Sequence, residues 1–292
     1  MLFRSGGPAV WFKAVGAPNL REFSITLTLG QLFPSYVPHV FATRPEWNGW
    51  LAHEIQGVNL GDSQDAKQWI AAAASLAHLQ IDSIGKQSQL LDSGARDFRV
   101  PALLDIVVPL LDVMAQLMEE QIKVPPVPLT REEVLALRDH IYGALLQIQE
   151  LPIPEGLGHL DLNPGNVIVS PTSCRFLDWT EAYVGHPFYS FEHLLEHFRR
   201  AVQRSWESEA QLKAAYAGPW RKFFASADIA RGMALAPLLA VFAYAAGYDA
   251  WKNKQQLLDP KVAGYLRSLA RRLKHEADQL VHQKTAYLSV SA

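Results

Sequence analysis

The chain has 292 residues, 49% hydrophobic and 19% charged, an ordinary globular composition that predicts one or two domains around a large core. Its formal net charge of -2 gives no general attraction to nucleic acid or to an anionic membrane, so neither is expected as a partner. A single cysteine, Cys174, excludes an internal disulfide and points to a cytoplasmic setting.

The opening "MLFRSGGPAVWFK" lacks the long apolar core of a signal peptide, and Gly6-Gly7 reads as a hairpin turn. Residues 9–15 ("AVWFKAV") read as a strand with Lys13 as its only charge. Asn19 is placed to cap a helix that runs to Phe33 and is ended by Pro34. Two further strands are expected over 37–43 and 49–55. Past Gln56-Gly57 the chain turns mainly helical, with Ser63 as the expected cap of "SQDAKQWIAAAASLAHLQI". A helix from "PALLDIVVPLLDVMAQLMEEQI" and a proline-rich loop over 123–129 come next. Thr130-Arg131-Glu132-Glu133 then spells a capping box for a helix ending near Glu150.

Residues 158–170, "GHLDLNPGNVIVS", combine a tight turn at Asn163–Asn166 with a β-branched strand at Val167–Val169. His159, Asp161 and Asn166 are thereby expected on a loop held by a strand, with "RFLDW" (175–179) as the partner strand. Beyond Phe188 the chain reads as helices, the last over about 259–282. Met233 to Tyr248, the most apolar stretch, falls short of the roughly 20 residues of a membrane span and contains Pro237, so a buried helix is expected. Gln80, Trp47 and Trp50 are read as packing or surface residues.

"HLDLNPGN" has the H-x-D-x-x-x-x-N spacing of a kinase catalytic loop. Phosphoryl transfer needs a base for the acceptor proton, a metal ligand at a set distance from it, and a second carboxylate on the metal. Asp178, which ends the apolar pair Phe176-Leu177, can supply that carboxylate. Upstream, Lys13 on a strand and Glu22 on a helix fit the pair that holds nucleotide phosphates. Each also has a plain structural use. Lys13 could guard an edge strand, and Glu22 could favour a first helical turn through the macrodipole.

The ordered set Lys13, Glu22, Asp161, Asn166 and Asp178, with "FLDWTEAYVGHPFYSFEHLL", resembles the aminoglycoside phosphotransferase/choline kinase-like family, relatives of protein kinases. The resemblance implies an α+β, two-lobed protein kinase-like fold. A small β-rich nucleotide-binding lobe would occupy 1–56, and a large, mainly helical catalytic and substrate lobe 57–292. The family places a strand and a phosphate-covering loop ahead of the lysine strand. Only about a dozen residues precede Lys13, so the small lobe is expected to be N-terminally shortened, with an open edge on the Lys13 strand.

By the same resemblance Asp161 is the catalytic base, and His159 belongs to the catalytic loop as its brace. Asn166 and Asp178 hold Mg2+, Lys13 contacts the phosphates of ATP or GTP, and Glu22 positions it. Glu54, Ile55 and Gln56 form the hinge that meets the base. The implied partner is a small molecule with a hydroxyl group, such as an aminoglycoside or choline, and the oligomeric state is left open. Many relatives carry an aspartate near Ser190. Two rival readings stand beside this one: a catalytically impaired pseudokinase that binds partners, and a zinc peptidase built on "HLLEH". The peptidase would use His193, Glu196 and His197, with Glu276 as a third ligand.

Overall fold

The computed structural model describes residues 2–3, 9–202 and 206–290, with side chains over 9–202 and 207–282. The Gly6-Gly7 turn lies outside the described residues. The chain forms two compact units, one from residues 1–97 and 154–229 and the other from 98–153 and 230–292.

The first unit opens with an antiparallel sheet of β1 (Leu2–Phe3), β2 (Val10–Ala14), β3 (Val40–Arg44) and β4 (Gly49–His53), in the order β1-β2-β4-β3. The edge of β2 is not wholly open, because Leu2 and Phe3 pair with Trp11 and Val10. Helix α1 (Arg21–Leu32) joins β2 to β3; no side chain caps its start, so Asn19 does not serve as the expected cap. Its inner face buries Ile25 and Leu29.

A short strand β5 (Val58–Asn59) precedes α2 (Ala66–Asp82). The cap of α2 is Asp65, whose carboxylate accepts from Lys67 N–H at 2.9 Å; Ser63 accepts from Asp65 N–H instead, two residues too early. Helix α3 (Gln87–Asp92) and strand β6 (Arg96–Phe98) follow.

In the second unit, α4 (Val100–Glu119) and α5 (Arg131–Gln149) pack side by side against a later helix, α10 (Pro260–Val290). Apolar residues at helical spacing supply the seam, including Leu103, Val107, Leu110 and Met114 of α4. The capping box of α5 forms as its sequence predicts: Thr130 Oγ1 accepts from Glu133 N–H, and Glu133 accepts from Thr130 N–H.

The chain returns to the first unit with β7 (Gly156–His159), β8 (Val167–Val169), β9 (Cys174–Phe176) and β10 (Ala182–Gly185). β8 pairs with β9, as the two β-branched and apolar runs predict, and β5 adds to the other edge of β8. β7 pairs antiparallel with β10 across the intervening β8 and β9, a pairing that local propensity does not announce. Helices α6 (Phe188–Ala201) and α7 (Trp206–Trp220) complete this unit, with α7 lying along α2. Trp69, Phe188, Tyr216 and Trp220 fill the space among them. Gln80 is buried there, donating to Pro187 C=O at 2.8 Å and accepting from Tyr216 OH at 2.6 Å.

The remaining helices are α8 (Ser226–Gly247) and α9 (Lys254–Leu257). The apolar stretch around Met233 is longer than its sequence suggests. At 22 residues α8 is long and apolar enough to cross a membrane, as is α4 at 20 residues, but both bury core positions such as Leu111 and Leu239. Core helices of globular proteins pass the same test.

Gly158 allows β7 and β10 to pair closely. A Cβ there would stand 1.9 Å from the ring of Tyr183, its register partner. Tyr183 OH donates to His186 C=O at 3.1 Å, and Ser190 Oγ bonds to the same hydroxyl at 3.1 Å. Ser190 Oγ in turn accepts from His159 N–H at 2.8 Å. The anchor at this position is therefore a serine hydroxyl. Gly158→Ala is expected to destabilise the protein by about 1–3 kcal/mol through overpacking, read as a lowered urea midpoint. An unchanged midpoint would show that the Tyr183 ring has room to move.

Candidate active site

Lys13, Glu22, Asp161, Asn166 and Asp178 all fall within the first unit, and three elements bring Lys13, Glu22 and Asp178 together. β2 carries Lys13, α1 carries Glu22, and the loop after β9 carries Asp178. Lys13 Nζ forms an ion pair with Glu22 and lies 3.3 Å from Asp178 Oδ1. The short sequence separation of Lys13 and Glu22 suffices because α1 starts soon after β2 ends and Glu22 sits in its first turn. Glu22 is 2% exposed, and the Lys13 ammonium supplies its buried carboxylate with a donor.

Trp50, opposite Lys13 in the β2–β4 register, stands with its ring centroid 5.8 Å from the ammonium. This tryptophan is buried and belongs to the site, which its sequence context alone does not signal. Trp47 stays on the surface, 58% exposed.

Asp178 adopts φ 57°, ψ 64°, the left-handed region that disfavours a residue with a Cβ. The residue before it is held from both sides: Leu177 N–H donates to Asn166 C=O at 2.8 Å, and Leu177 C=O bonds to His159 Nε2 at 3.0 Å. These clamps tie His159 and the turn at Asn166 to the Asp178 segment and hold the strained residue in place.

His159 is not on the loop but at the end of β7, fully buried, with its ring 4.8 Å from that of Trp179. Burial pushes its pKa down against the weaker opposing pull of the Leu177 carbonyl and nearby carboxylates, which keeps the imidazole neutral. A neutral ring bonded to a carbonyl must carry its proton on Nε2.

His186, also fully buried, accepts from Phe188 N–H through Nδ1 at 3.3 Å and is pushed by desolvation down to about 3. In the unfolded chain both histidines take a proton below about pH 6.5, whereas in the folded chain they resist it. Stability is therefore full above that pH and falls on acidification toward the folded values. The unfolding free energy should drop by about 1.4 kcal/mol per pH unit for each such histidine below pH 6.5. His186→Asn, which keeps an acceptor, should remove one such increment from the slope between pH 6.5 and 5. The same slope in this variant, measured by urea unfolding, would exclude His186 as a source.

The turn before β8 is a short 3-10 turn, Pro164–Asn166, capped by Asn163 Oδ1 accepting from Gly165 N–H at 2.9 Å. Asn166 Nδ2 donates to Asp161 C=O at 3.0 Å, which orients the amide and leaves its oxygen for another partner. The Asp161 side chain is exposed and makes no hydrogen bond to a described residue.

A cavity of about 550 Å³ opens beside these groups, bordered by Lys13, Glu22, Trp50, Ile55, Asn166 and Asp178. That volume is in the range of small-molecule and cofactor sites. Glu54 also borders it, while Gln56 lies at a neighbouring polar cavity with Glu54 and Ile55. The backbone N–H and C=O of Ile55 have no hydrogen-bond partner among the described residues, so one donor and one acceptor remain at the cavity wall.

A hard divalent cation takes oxygen ligands, and Mg2+ commonly uses one or two protein oxygens with phosphates and waters. Asn166 Oδ1 and the Asp178 carboxylate, bordering one cavity, fit that pattern. The zinc reading finds no such support. Glu196 is ion-paired with Arg200 at 2.6 Å and Arg199 at 3.8 Å, and no group of three or more His, Cys, Asp or Glu among the described residues could hold a metal.

The sequence profile of the phosphotransferase enzyme family (APH) matches residues 31–224. Choline kinase LicA from Streptococcus pneumoniae shares the fold with a TM-score of 0.59 at 14% identity, over 94% of this chain and 88% of that one. Macrolide 2'-phosphotransferase MphH from Brachybacterium faecium superposes with a TM-score of 0.56 at 16% identity, over 92% of this chain and 84% of that one. Spectinomycin phosphotransferase APH(9)-Ia, solved with ADP and spectinomycin, gives 0.52 at 12% identity, over 94% and 88%. No curated protein sequence matches the chain. The chain belongs to the phosphotransferase enzyme family, and its α+β, protein kinase-like fold is one that choline kinases and antibiotic phosphotransferases share.

Proposed function

We propose that this protein transfers the γ-phosphoryl group of ATP or GTP to a hydroxyl of a small molecule in the cytoplasm. The observation that carries the reading is the convergence of Lys13, Glu22, Asn166 and Asp178 on one cavity, with the backbone carbonyl of Asp161 accepting from the Asn166 amide. In this reading the segment 1–56 forms the nucleotide lobe, and 57–292 brings the catalytic loop and the acceptor site.

The base lies against Trp50 and meets the hinge at Glu54, Ile55 and Gln56, where Ile55 offers a free donor and acceptor. Lys13 binds phosphate oxygens, and Glu22 holds the lysine in reach of them. Mg2+, when bound through Asn166 and Asp178, offsets the phosphate charge. Asp161 orients the acceptor hydroxyl and takes its proton as the new P–O bond forms and the bond to the β-phosphate oxygen breaks. His159 is a positioning residue: its buried neutral ring fixes Leu177 and through it Asp178.

The test is ADP release from Mg·ATP and from Mg·GTP with a panel of hydroxyl compounds that includes aminoglycosides, choline, ethanolamine and sugars. Acceptor-dependent release with at least one compound is expected. Nucleotide binding without turnover on any of them would favour the pseudokinase. Absence of nucleotide binding would overturn the reading.

A further inference from the structure

Thr180 has no role in the reading above, yet its hydroxyl sits between the two carboxylates that flank Lys13. Oγ1 lies 2.8 Å from Glu22 Oε2 and 3.1 Å from Asp178 Oδ1. Lys13 Nζ bridges the same carboxylates from the other side, paired with Glu22 Oε1 and 3.3 Å from Asp178 Oδ1. Lys13, Glu22, Thr180 and Asp178 thus form a closed ring of two donors and two carboxylates.

The ring is rigidly delivered. Thr180 is 8% exposed and lies in a single 3-10 turn, Trp179–Glu181. Trp179 Nε1 ties one end of that turn to Phe176 C=O at 3.1 Å, and Arg96 holds Glu181 at 2.9 Å at the other.

A hydroxyl has one proton, so Thr180 can serve only one carboxylate at a time. With no nucleotide present, Lys13 spans both carboxylates and either position of that proton leaves each with a donor. Phosphates that draw Lys13 forward, together with a cation on Asp178, change this balance. Asp178 Oδ1 then has less need of a proton donor, while Glu22, buried and sharing its lysine, has more. We infer that Thr180 is a positioning residue whose hydroxyl proton goes to Glu22 when nucleotide engages Lys13 and Asp178, keeping Glu22 hydrogen-bonded and in place behind the lysine. The inference rests on the nucleotide reading above and adds a residue to which that reading gives no role.

The test is calorimetric titration of Mg·ADP into the wild type, Thr180→Val, Thr180→Ser, Lys13→Met and the Thr180→Val/Lys13→Met double variant. Losing a hydrogen bond to a charged group should weaken binding about 10-fold in Thr180→Val, and Thr180→Ser should stay within about threefold of the wild type. If Thr180 acts through Glu22 on Lys13, the valine substitution should cost nothing further once Lys13 is gone, so the two losses should not add. Thr180→Ala replaces the valine variant if that one does not fold. Equal affinity in Thr180→Val, equal losses in Val and Ser, or additive losses in the double variant would each overturn the assignment while leaving the nucleotide reading standing. A wild type that binds no Mg·ADP would overturn the nucleotide reading and the Thr180 assignment with it.

Discussion

Asp161→Asn is expected to lower kcat by about 10²–10⁴-fold, the contribution typical of a positioned general base, with Mg·ATP affinity within about twofold of the wild type. Asparagine preserves the shape of the side chain but cannot take the acceptor proton at its amide. The loop should keep its form, because what holds it here is backbone. Asp161 C=O accepts from Asn166 Nδ2 at 3.0 Å and from Asn163 N–H at 2.8 Å, and neither bond uses the carboxylate. The Asp161 side chain is exposed, so little folding energy depends on it. Nucleotide binding by calorimetry and turnover with the best acceptor measure the two quantities separately. Turnover near the wild-type rate in this variant would remove Asp161 from the mechanism.

Asp178 should behave differently, with both binding and stability responding. Asp178→Ala is expected to abolish the Mg2+-dependent part of nucleotide affinity, because Asn166 alone offers the cation one neutral oxygen. It should also leave the Lys13 ammonium with Glu22 as its sole carboxylate partner in the ring. The backbone supplies an independent check. With φ at 57°, alanine keeps the penalty of a Cβ in the left-handed region, whereas glycine escapes it. Asp178→Gly and Asp178→Ala should therefore be equally defective in Mg2+-dependent binding, but the glycine variant should be more stable by about 1–2 kcal/mol in urea unfolding. A glycine variant no more stable than the alanine one would mean that the loop relaxes once the carboxylate is gone. The wild-type strain would then be imposed by the Lys13 and Thr180 contacts and not by the Leu177 clamps.

Much of the candidate site is legible in the chain because its parts are local. H-x-D-x-x-x-x-N brings Asp161 and Asn166 together through a turn whose Asn163 cap and Pro164 are written in adjacent residues. The capping box at Thr130 and Glu133 and the β8–β9 pair of β-branched and apolar runs have the same character. In each, the interacting groups are a few residues apart and the intervening backbone has few alternatives.

Other expectations failed where a near neighbour competed. Ser63 and Asp65 are both good caps two residues apart, and only the start of α2 chooses between them. Asn19 precedes α1, yet the helix begins without a side-chain cap, its Glu22 N–H held by Asn19 C=O instead.

The amino-acid sequence by itself determined the residue types available for phosphoryl transfer, their order along the chain and the local turns that present them. Tertiary structure decided the rest. The β7–β10 pairing forms because Gly158 lets Tyr183 lie across it, a fit between residues 25 apart in sequence. The burial of His159 depends on that pairing, and the role of Ser190 as its anchor depends on α6 lying alongside. Whether Glu22 serves a helix dipole or a lysine was undecided by its position in α1. The pairing with Lys13 and the Thr180 bond, across 158 residues, settle its contacts. Hydrogen bonds within one turn are set by dihedral preferences that each residue carries with it. A buried carboxylate, by contrast, is tolerated only where separate segments arrive with donors, and that arrival is a property of the packed core.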